Sequence, residues 1–199
     1  RTGDGGQWPK LLGAYARLPP EAREELLMVL AFAQAGGEVQ DEVRVGFHTP
    51  RESGEADPDT EQHAALAARG LAAVGVEVSH EDAVTVLLAL RYNAISYPEV
   101  GPDGVVEDTC ALLRLGSKCE HACCPSAVYK IDDAGAQVRF VAVTDLVEGD
   151  RISIGYVDCT MPRPLRQGQC MERYGFRCAC LRCAGDPAGG TPTPPDAAR

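Results

Sequence analysis

The sequence predicts an α+β protein, with helices in the first half of the chain and short strands in the second. Apolar residues recur at helical spacing as far as Arg91, and proline, serine and glycine stand where helices would begin and end. From Ala127 onward the pattern changes, because β-branched and aromatic residues flank a turn rich in Asp and Gly. Helices followed by small strands are typical of this fold class.

The first predicted helix begins at the proline pair 19–20. Proline suits the first helical turn, and the glutamates that follow suit the positive end of the helix dipole. The glycine pair at 36–37 is predicted to end this helix. Its apolar face is expected to consist of Leu26, Leu27, Leu30 and Ala31.

Two further helices are predicted before the strands. One is expected over about 61–73, with Gly75 placed as its C-cap. The other begins at Ser79, which pairs with Asp82 in the manner of a capping box, and runs through Arg91.

Three short strands and a helix are predicted in the second half. Segments 127–131 and 138–143 flank the turn 132–135 and are expected to form a β-hairpin. A third strand is expected over 151–155, and a short helix over 164–174.

Composition limits the possible functions. The 199 residues carry a net charge of −10, which argues against a protein whose task is to neutralise nucleic-acid phosphates and suits basic partners better. No apolar run approaches the roughly 18 residues that would span a bilayer, and the start of the chain lacks a secretory pattern. Because the chain does not begin with Met, a fragment or processed product is expected. The tail from Gly185 is predicted to be disordered.

The cysteines indicate a metal site. Nine cysteines without a secretory signal favour reduced thiols in a cytosolic or nuclear compartment. Cys178, Cys180 and Cys183 have the close spacing of zinc ligands, but a structural zinc ion takes four protein ligands. Spacing alone does not choose the fourth ligand among Cys119, Cys123, Cys124, Cys159 and Cys170.

Four sequence blocks carry a resemblance to a known family. They are Asn93-Ala94-Ile95-Ser96, GSKCEHACCPS at 116–126, GDRISIGYVD at 149–158, and Arg166 with YGFRCACLRC at 174–183. In this order they resemble the C-terminal half of a SET-domain protein lysine methyltransferase, in particular the SET- and MYND-domain family. The resemblance covers about residues 80–183, and the preceding helices weakly resemble the helical insert of that family.

The resemblance implies a SET-type β fold that follows a helical insert and ends in a zinc-bound post-SET segment. The implied parts are a helical insert-like region at 1–92, the C-terminal SET core at 93–160, the post-SET segment at 161–184 and the tail at 185–199. It also implies that Cys123, which matches the cysteine of the family's Asn-His-Ser-Cys block, is the fourth ligand of one structural zinc ion.

The implied activity is methyl transfer from S-adenosylmethionine to a lysine of a protein or peptide, histone or not, in the cytoplasm or nucleus. Tyr156 matches the catalytic tyrosine, and Tyr174 and Phe176 match the walls of the lysine channel. No nucleic-acid or membrane partner is expected.

Cofactor contacts carry over to four residues by the same resemblance: Asn93, Ser117, Glu120 and His121. Glu120 stands where the family has Asn, so a side chain that donates and accepts is replaced by one that only accepts when ionised. The family's N-terminal Gly-x-Gly strand has no match beyond a bare Gly3-Asp4-Gly5, and its MYND module has none. The resemblance therefore implies a methyltransferase fragment or, alternatively, a catalytically inactive, zinc-stabilised SET-like interaction module. A zinc-finger nucleic-acid binder is disfavoured by the acidic charge.

Overall fold

The computed structural model of the protein describes residues 7–18, 20–50, 56–100, 106–131 and 137–185. The chain forms two compact units, residues 1–94 and 95–199. The predicted turn at 132–135, the tail beyond Gly185 and the Gly3-Asp4-Gly5 match lie outside the described residues. Among the described helices, none has the length and apolar character needed to cross a membrane.

The described part of the first unit consists of helices around one apolar core. They are α1 (Gln7–Arg17), α2 (Pro20–Gln34), α3 (Gly37–Gly46), α4 (Pro58–Ala72) and α5 (His80–Asn93). Helix α5 packs against α2, α3 and α4, and every residue from Ala83 to Ala89 is buried. Burial on several sides explains why α5 has no continuous polar face.

Helices α2, α4 and α5 confirm the three helices predicted in this half. Helix α5 begins as expected, because the Ser79 hydroxyl accepts a hydrogen bond from the Asp82 N–H at 3.0 Å. Helix α4 begins at Pro58, earlier than predicted, because the Asp57 carboxylate caps it by accepting from the Thr60 N–H at 3.2 Å. Gly75 has a left-handed backbone, with φ of 80°, just beyond the end of α4.

Two expectations for this unit were wrong in part. Leu26 and Leu30 are buried on α2, but Leu27 is 44% exposed and Ala31 is exposed too. Neighbouring positions on a helix lie about 100° apart, so residues directly after a buried leucine turn away from the core. The glycine pair at 36–37 follows the end of α2 but also starts α3, and neither α1 nor α3 was predicted.

The described part of the second unit consists of short strands and two small helices, with one 3-10 turn (Gly116–Lys118). The strands are β1 (Ala94–Val100, which begins at the boundary), β2 (Val106–Leu112), β3 (Glu120–His121), β4 (Ala127–Ile131), β5 (Val138–Ala142) and β6 (Ser153–Ile154). The helices are α6 (Arg163–Tyr174) and α7 (Leu181–Gly185). The pairs β1–β2, β3–β6 and β4–β5 form three two-stranded sheets.

The predicted hairpin is confirmed as the antiparallel pair β4–β5, in which Ala127 lies opposite Ala142 and Ile131 opposite Val138. The predicted strand at 151–155 is present only as the two residues of β6, and α6 confirms the predicted helix. Strand β6 runs parallel to β3, with Glu120 opposite Ser153 and His121 opposite Ile154. The architecture is α+β, as predicted, whereas the SET-type arrangement and the four-part division of the chain stay predictions.

Candidate metal centre and aromatic cluster

Four cysteines converge in the second unit. The Sγ atoms of Cys123, Cys178, Cys180 and Cys183 all lie within 4.8 Å of one another. Cys123 Sγ lies 3.8 Å from Cys178 Sγ and 3.5 Å from Cys183 Sγ. A tetrahedral zinc ion with Zn–S bonds of about 2.3 Å separates its sulfurs by about 3.8 Å. The four side chains therefore fit a zinc ion, and they are the four that the sequence and the resemblance had named.

Local structure explains how these distant residues meet. Cys123 follows β3, and the three others follow α6, whose C-cap Gly175 has a left-handed backbone with φ of 71°. Glycine adopts that conformation without steric strain. The turn reverses the chain, so the segment from Phe176 onward returns along α6 towards Cys123.

Two arginines contact this centre, Arg166 from α6 and Arg182 from α7, and no role at the centre was predicted for Arg166. Arg166 on α6 is fully buried, and its guanidinium donates to Cys183 Sγ at 3.7 Å and to the Met161 carbonyl. Arg182 donates to the carbonyl oxygens of Cys123 and Cys159. A zinc ion with four thiolates carries a net charge of −2, so a buried arginine beside the sulfurs offsets charge where solvent cannot.

Burial and hydrogen bonding act in opposite directions on the cysteine thiols. Burial raises the pKa of Cys123 and of Cys178. Burial also raises the pKa of Cys180, but hydrogen bonds from the backbone N–H groups of Cys183 and Cys123 outweigh it and lower that pKa to about 7. A metal ion would have to displace the remaining protons, as thiolate ligation requires.

The remaining described cysteines lie outside this group of four. Cys159 Sγ is 3.3 Å from the Val157 carbonyl, and Cys170 is fully buried next to the four sulfurs. Cys119 lies in a separate apolar cluster, whereas Cys110 and Cys124 are exposed.

Three aromatic side chains pack into the cluster that contains the four cysteines. Tyr156, Tyr174 and Phe176 belong to the same cluster as the four sulfurs. Their ring centroids lie 5.1 Å apart for the two tyrosines and 6.3 to 6.4 Å for each tyrosine with Phe176. The structure thus brings together the three residues for which the resemblance implies roles in catalysis and in the lysine channel.

Tyr156 is held at three atoms. Its N–H donates to His121 Nδ1 at 3.0 Å, and its hydroxyl donates to the Cys119 carbonyl at 2.5 Å. Its carbonyl accepts from the Tyr174 hydroxyl at 3.4 Å. Burial, with smaller contributions from neighbouring groups, raises the pKa of Tyr156 above its usual range, so the phenol is neutral at pH 7.

The polar residues expected to contact a cofactor are distributed over both units. In the second unit, Ser117 donates to the Arg114 carbonyl, and the exposed Glu120 carboxylate accepts from Arg151 with both oxygens at 3.1 Å. The side chain of Arg151 therefore balances the charge of Glu120.

Asn93 belongs to the first unit and is fixed there. Its side-chain amide donates to the carbonyl oxygens of His48 at 2.7 Å and Ala89 at 2.9 Å, and its oxygen accepts from the His48 N–H. Both amide protons of Asn93 are thus used within the first unit. A cofactor contact of Asn93 stays a prediction.

The chain is similar in sequence to several SET- and MYND-domain proteins. A SET and MYND domain-containing protein of Dictyostelium discoideum is 29% identical over 107 residues, which is 53% of this chain and 20% of that protein. A SET domain and MYND-type zinc finger protein of Schizosaccharomyces pombe is 35% identical over 83 residues, or 42% of this chain and 16% of its own. The N-lysine methyltransferase SMYD2-A of Xenopus laevis is 32% identical over 95 residues, or 44% of this chain and 22% of its own.

The matches are partial. The chain spans 16 to 22% of the length of these three relatives. No family model matches the chain. By sequence similarity, the chain is related to the SET- and MYND-domain branch of the SET-domain protein methyltransferases.

Proposed function

We propose that the chain carries the lysine channel and the zinc-binding segment of an S-adenosylmethionine-dependent protein-lysine N-methyltransferase. The observation that carries this proposal is that Tyr156, Tyr174 and Phe176 pack into the same cluster as the four cysteines of the candidate metal centre. Relatives in several organisms are named as lysine methyltransferases, which supports the same activity. The substrate is then a lysine side chain of a histone or another protein.

Lysine methylation requires a neutral amine, and this explains the aromatic surroundings. With an unperturbed pKa of about 10.4, removing the lysine proton costs about 4 kcal/mol at pH 7.4. A narrow channel lined by rings excludes water and so lowers the pKa of an entering lysine. The faces of the same rings attract the cationic form on approach and the methylated product afterwards.

Tyr156 is the proposed catalytic residue. Because its hydroxyl donates to the Cys119 carbonyl, the phenol oxygen offers its lone pairs to a donor on the other side. An amine N–H of the substrate would be such a donor, and accepting from it would orient the amine for attack. The contacts at the N–H and carbonyl of Tyr156 keep this oxygen in place.

The cofactor and the metal would have different tasks. S-adenosylmethionine supplies an electrophilic methyl group on a sulfonium, and Ser117, Glu120 and His121, together with Asn93, are the residues proposed to contact it. Zinc would be structural, since Cys123, Cys178, Cys180 and Cys183 fill all four positions of a tetrahedron. The ion would hold the segment that bears Tyr174 and Phe176 beside Tyr156.

The proposal is tested with the full-length protein. Calorimetry should detect S-adenosylmethionine binding, and radiolabelled methyl groups should appear on lysine in mixtures of histones and other proteins. Absence of both binding and transfer would overturn the proposal.

A second candidate is a catalytically inactive SET-like module whose zinc centre stabilises a protein-interaction surface. It is favoured by the carboxylate of Glu120 at a position where the family has Asn, and by the use of both Asn93 amide protons inside the first unit. Stoichiometric zinc without S-adenosylmethionine binding would support this candidate over the enzyme.

A further inference from the structure

We propose that His121 is a positioning residue whose ring ties the metal-ligand sulfur of Cys123 to the backbone of Tyr156. The imidazole then links the metal centre and the proposed catalytic tyrosine in one fixed geometry. The significance for catalysis rests on the proposed function, whereas the link itself rests on the contacts of His121.

The two ring nitrogens of His121 have different partners. Nδ1 lies 3.0 Å from the backbone nitrogen of Tyr156, which can only donate. Nδ1 must therefore be unprotonated, and a neutral ring carries its proton at Nε2. Nε2 lies 3.4 Å from Cys123 Sγ, so its N–H points to a sulfur that can accept. Only this tautomer satisfies both contacts, because a ring protonated at both nitrogens could not accept from Tyr156. The Ile154 carbonyl also lies near the ring, but it already accepts from the Ala122 N–H.

The pairing of β3 with β6 explains this placement. His121 lies opposite Ile154, and the Ala122 N–H donates to the Ile154 carbonyl at 3.1 Å. Cys123 lies two residues after His121, beyond the end of β3, and Tyr156 lies two residues after Ile154, beyond the end of β6. His121 therefore lies at the end of the paired strands, where the segments that bear Cys123 and Tyr156 begin.

Aromatic packing fixes the plane of the imidazole. Its centroid lies 5.3 Å from the ring of Tyr156 and 5.8 Å from the ring of Phe176. Phe176 belongs to the segment that precedes the three clustered cysteines. The His121 ring therefore contacts both the backbone and the side chain of Tyr156. It also contacts Phe176, which lies in the segment after α6.

Three of the four candidate ligand sulfurs have a hydrogen-bond donor nearby. Donors to three ligand sulfurs come from the His121 ring to Cys123, from the Cys123 backbone to Cys180 and from the Arg166 guanidinium to Cys183. Such donors stabilise thiolates and orient them towards the ion. Loss of the His121 donor should thus weaken metal binding, although His121 is not itself a ligand.

The first test is the position of the proton. In zinc-loaded protein labelled with nitrogen-15 at histidine, the signal that disappears in His121→Phe should show a protonated Nε2 and an unprotonated Nδ1. A proton on Nδ1 would overturn the proposal, because Tyr156 would then have no acceptor on the ring. The variant serves only to assign the signal, and the position of the proton is measured in the unaltered protein.

Two substitutions separate the two contacts. The amide of His121→Asn can accept from Tyr156 but is too short to reach Cys123, whereas the amide of His121→Gln can reach the sulfur. Zinc transfer to a chromogenic chelator should be about tenfold faster in His121→Asn than in His121→Gln. His80→Gln is the matched control, since His80 pairs with Glu61 on the exposed surface of the first unit. Equal release rates in all four proteins would overturn the proposal.

Methyl transfer by the unaltered protein distinguishes this inference from the proposed function. If transfer occurs, His121→Gln should lower kcat more than His121→Asn does, with little change in the KM for peptide, because only the asparagine amide keeps an acceptor for the Tyr156 N–H. An unchanged kcat in both would overturn the positioning role. If the unaltered protein transfers no methyl group, the proposed function fails, and the nitrogen-15 and zinc measurements still decide whether the link exists.

Discussion

The side-chain amide of Gln167 makes two hydrogen bonds with the backbone of Cys178. Its Nε2 donates to the Cys178 carbonyl at 2.6 Å, and its Oε1 accepts from the Cys178 N–H at 3.0 Å. An amide is suited to this arrangement because it both donates and accepts. Helix α6 therefore fixes the first cysteine of the Cys-x-Cys-x2-Cys segment independently of a bound ion.

Replacing Gln167 with alanine should destabilise the metal centre. Both backbone groups of Cys178 would lose their partner, at a cost of about 1 to 3 kcal/mol. Thermal unfolding of the zinc-loaded protein should show a lower Tm, and chelators should remove zinc faster. Gln169→Ala on the same helix is the control, and equal effects of the two substitutions would contradict the role assigned to Gln167.

Substitution of single cysteines should identify the ligands. We expect one zinc ion per chain, and we expect Cys123→Ser to lower the zinc content as much as Cys180→Ser does, because each removes one of four sulfurs within 4.8 Å. Cys124→Ser is the matched control, since Cys124 is adjacent in sequence but exposed. Zinc content is measured by elemental analysis. Full retention of zinc in Cys123→Ser would show that another cysteine supplies the fourth sulfur.

Arg166 should contribute to metal affinity through its charge. Arg166→Met keeps a long apolar side chain but removes the buried cation next to Cys183. Zinc affinity, measured by competition with a chelator, should fall about 10 to 100-fold. Arg177→Met removes a positive charge from an exposed position next to Cys178 and should change the zinc affinity little. A larger effect at Arg177 would contradict the assignment.

The Arg44–Asp82 ion pair should make the stability of the first unit depend on pH. Hydrogen bonds from the Arg44 guanidinium, at 2.7 and 3.1 Å, lower the pKa of Asp82 below its unfolded value. A lowered folded-state pKa stabilises the fold at pH values above the unfolded pKa of about 3.9, and the stabilisation is lost as the pH falls through the folded pKa.

The corresponding test is Asp82→Asn. At pH 7 its Tm should lie about 2 °C below that of the unaltered protein, because the pair is partly exposed to solvent. As the pH falls through the folded pKa of Asp82, the two curves should converge, because Asp82 then becomes protonated. A constant difference over the whole range would mean that the charge of Asp82 does not matter.

Local signals in the sequence predicted much of the fold. Ser79 and Asp82 predicted the start of α5, and the change of pattern at Ala127 predicted the β4–β5 hairpin. Helix α3 was missed because a glycine pair was interpreted only as a stop, although Gly36 is also the N-cap of the next helix. The pairing of β1 with β2 was missed because the Asn93 block was interpreted only as a motif.

The spacing of cysteines in the sequence could predict only part of the metal centre. Cys123 and Cys178 are 55 residues apart, and loops of this length leave many partners possible, so the resemblance was needed to select Cys123. Gln167 and Arg166 were not predicted to support the centre, because their contacts depend on the reversal of the chain at Gly175. The only local signal of these roles is that an arginine and a glutamine lie in a short helix just before clustered cysteines.

Transfer of labelled methyl groups from S-adenosylmethionine to protein lysine, compared among three proteins, tests the central claim most directly. The comparison uses the unaltered full-length protein, Tyr156→Phe, and Tyr129→Phe as a control whose hydroxyl donates to the Ser96 carbonyl. We expect transfer by the unaltered protein and by Tyr129→Phe, and a loss of at least about 100-fold in kcat for Tyr156→Phe with the zinc content unchanged. Equal rates for Tyr156→Phe and the unaltered protein, or no transfer by any of the three, would contradict the account.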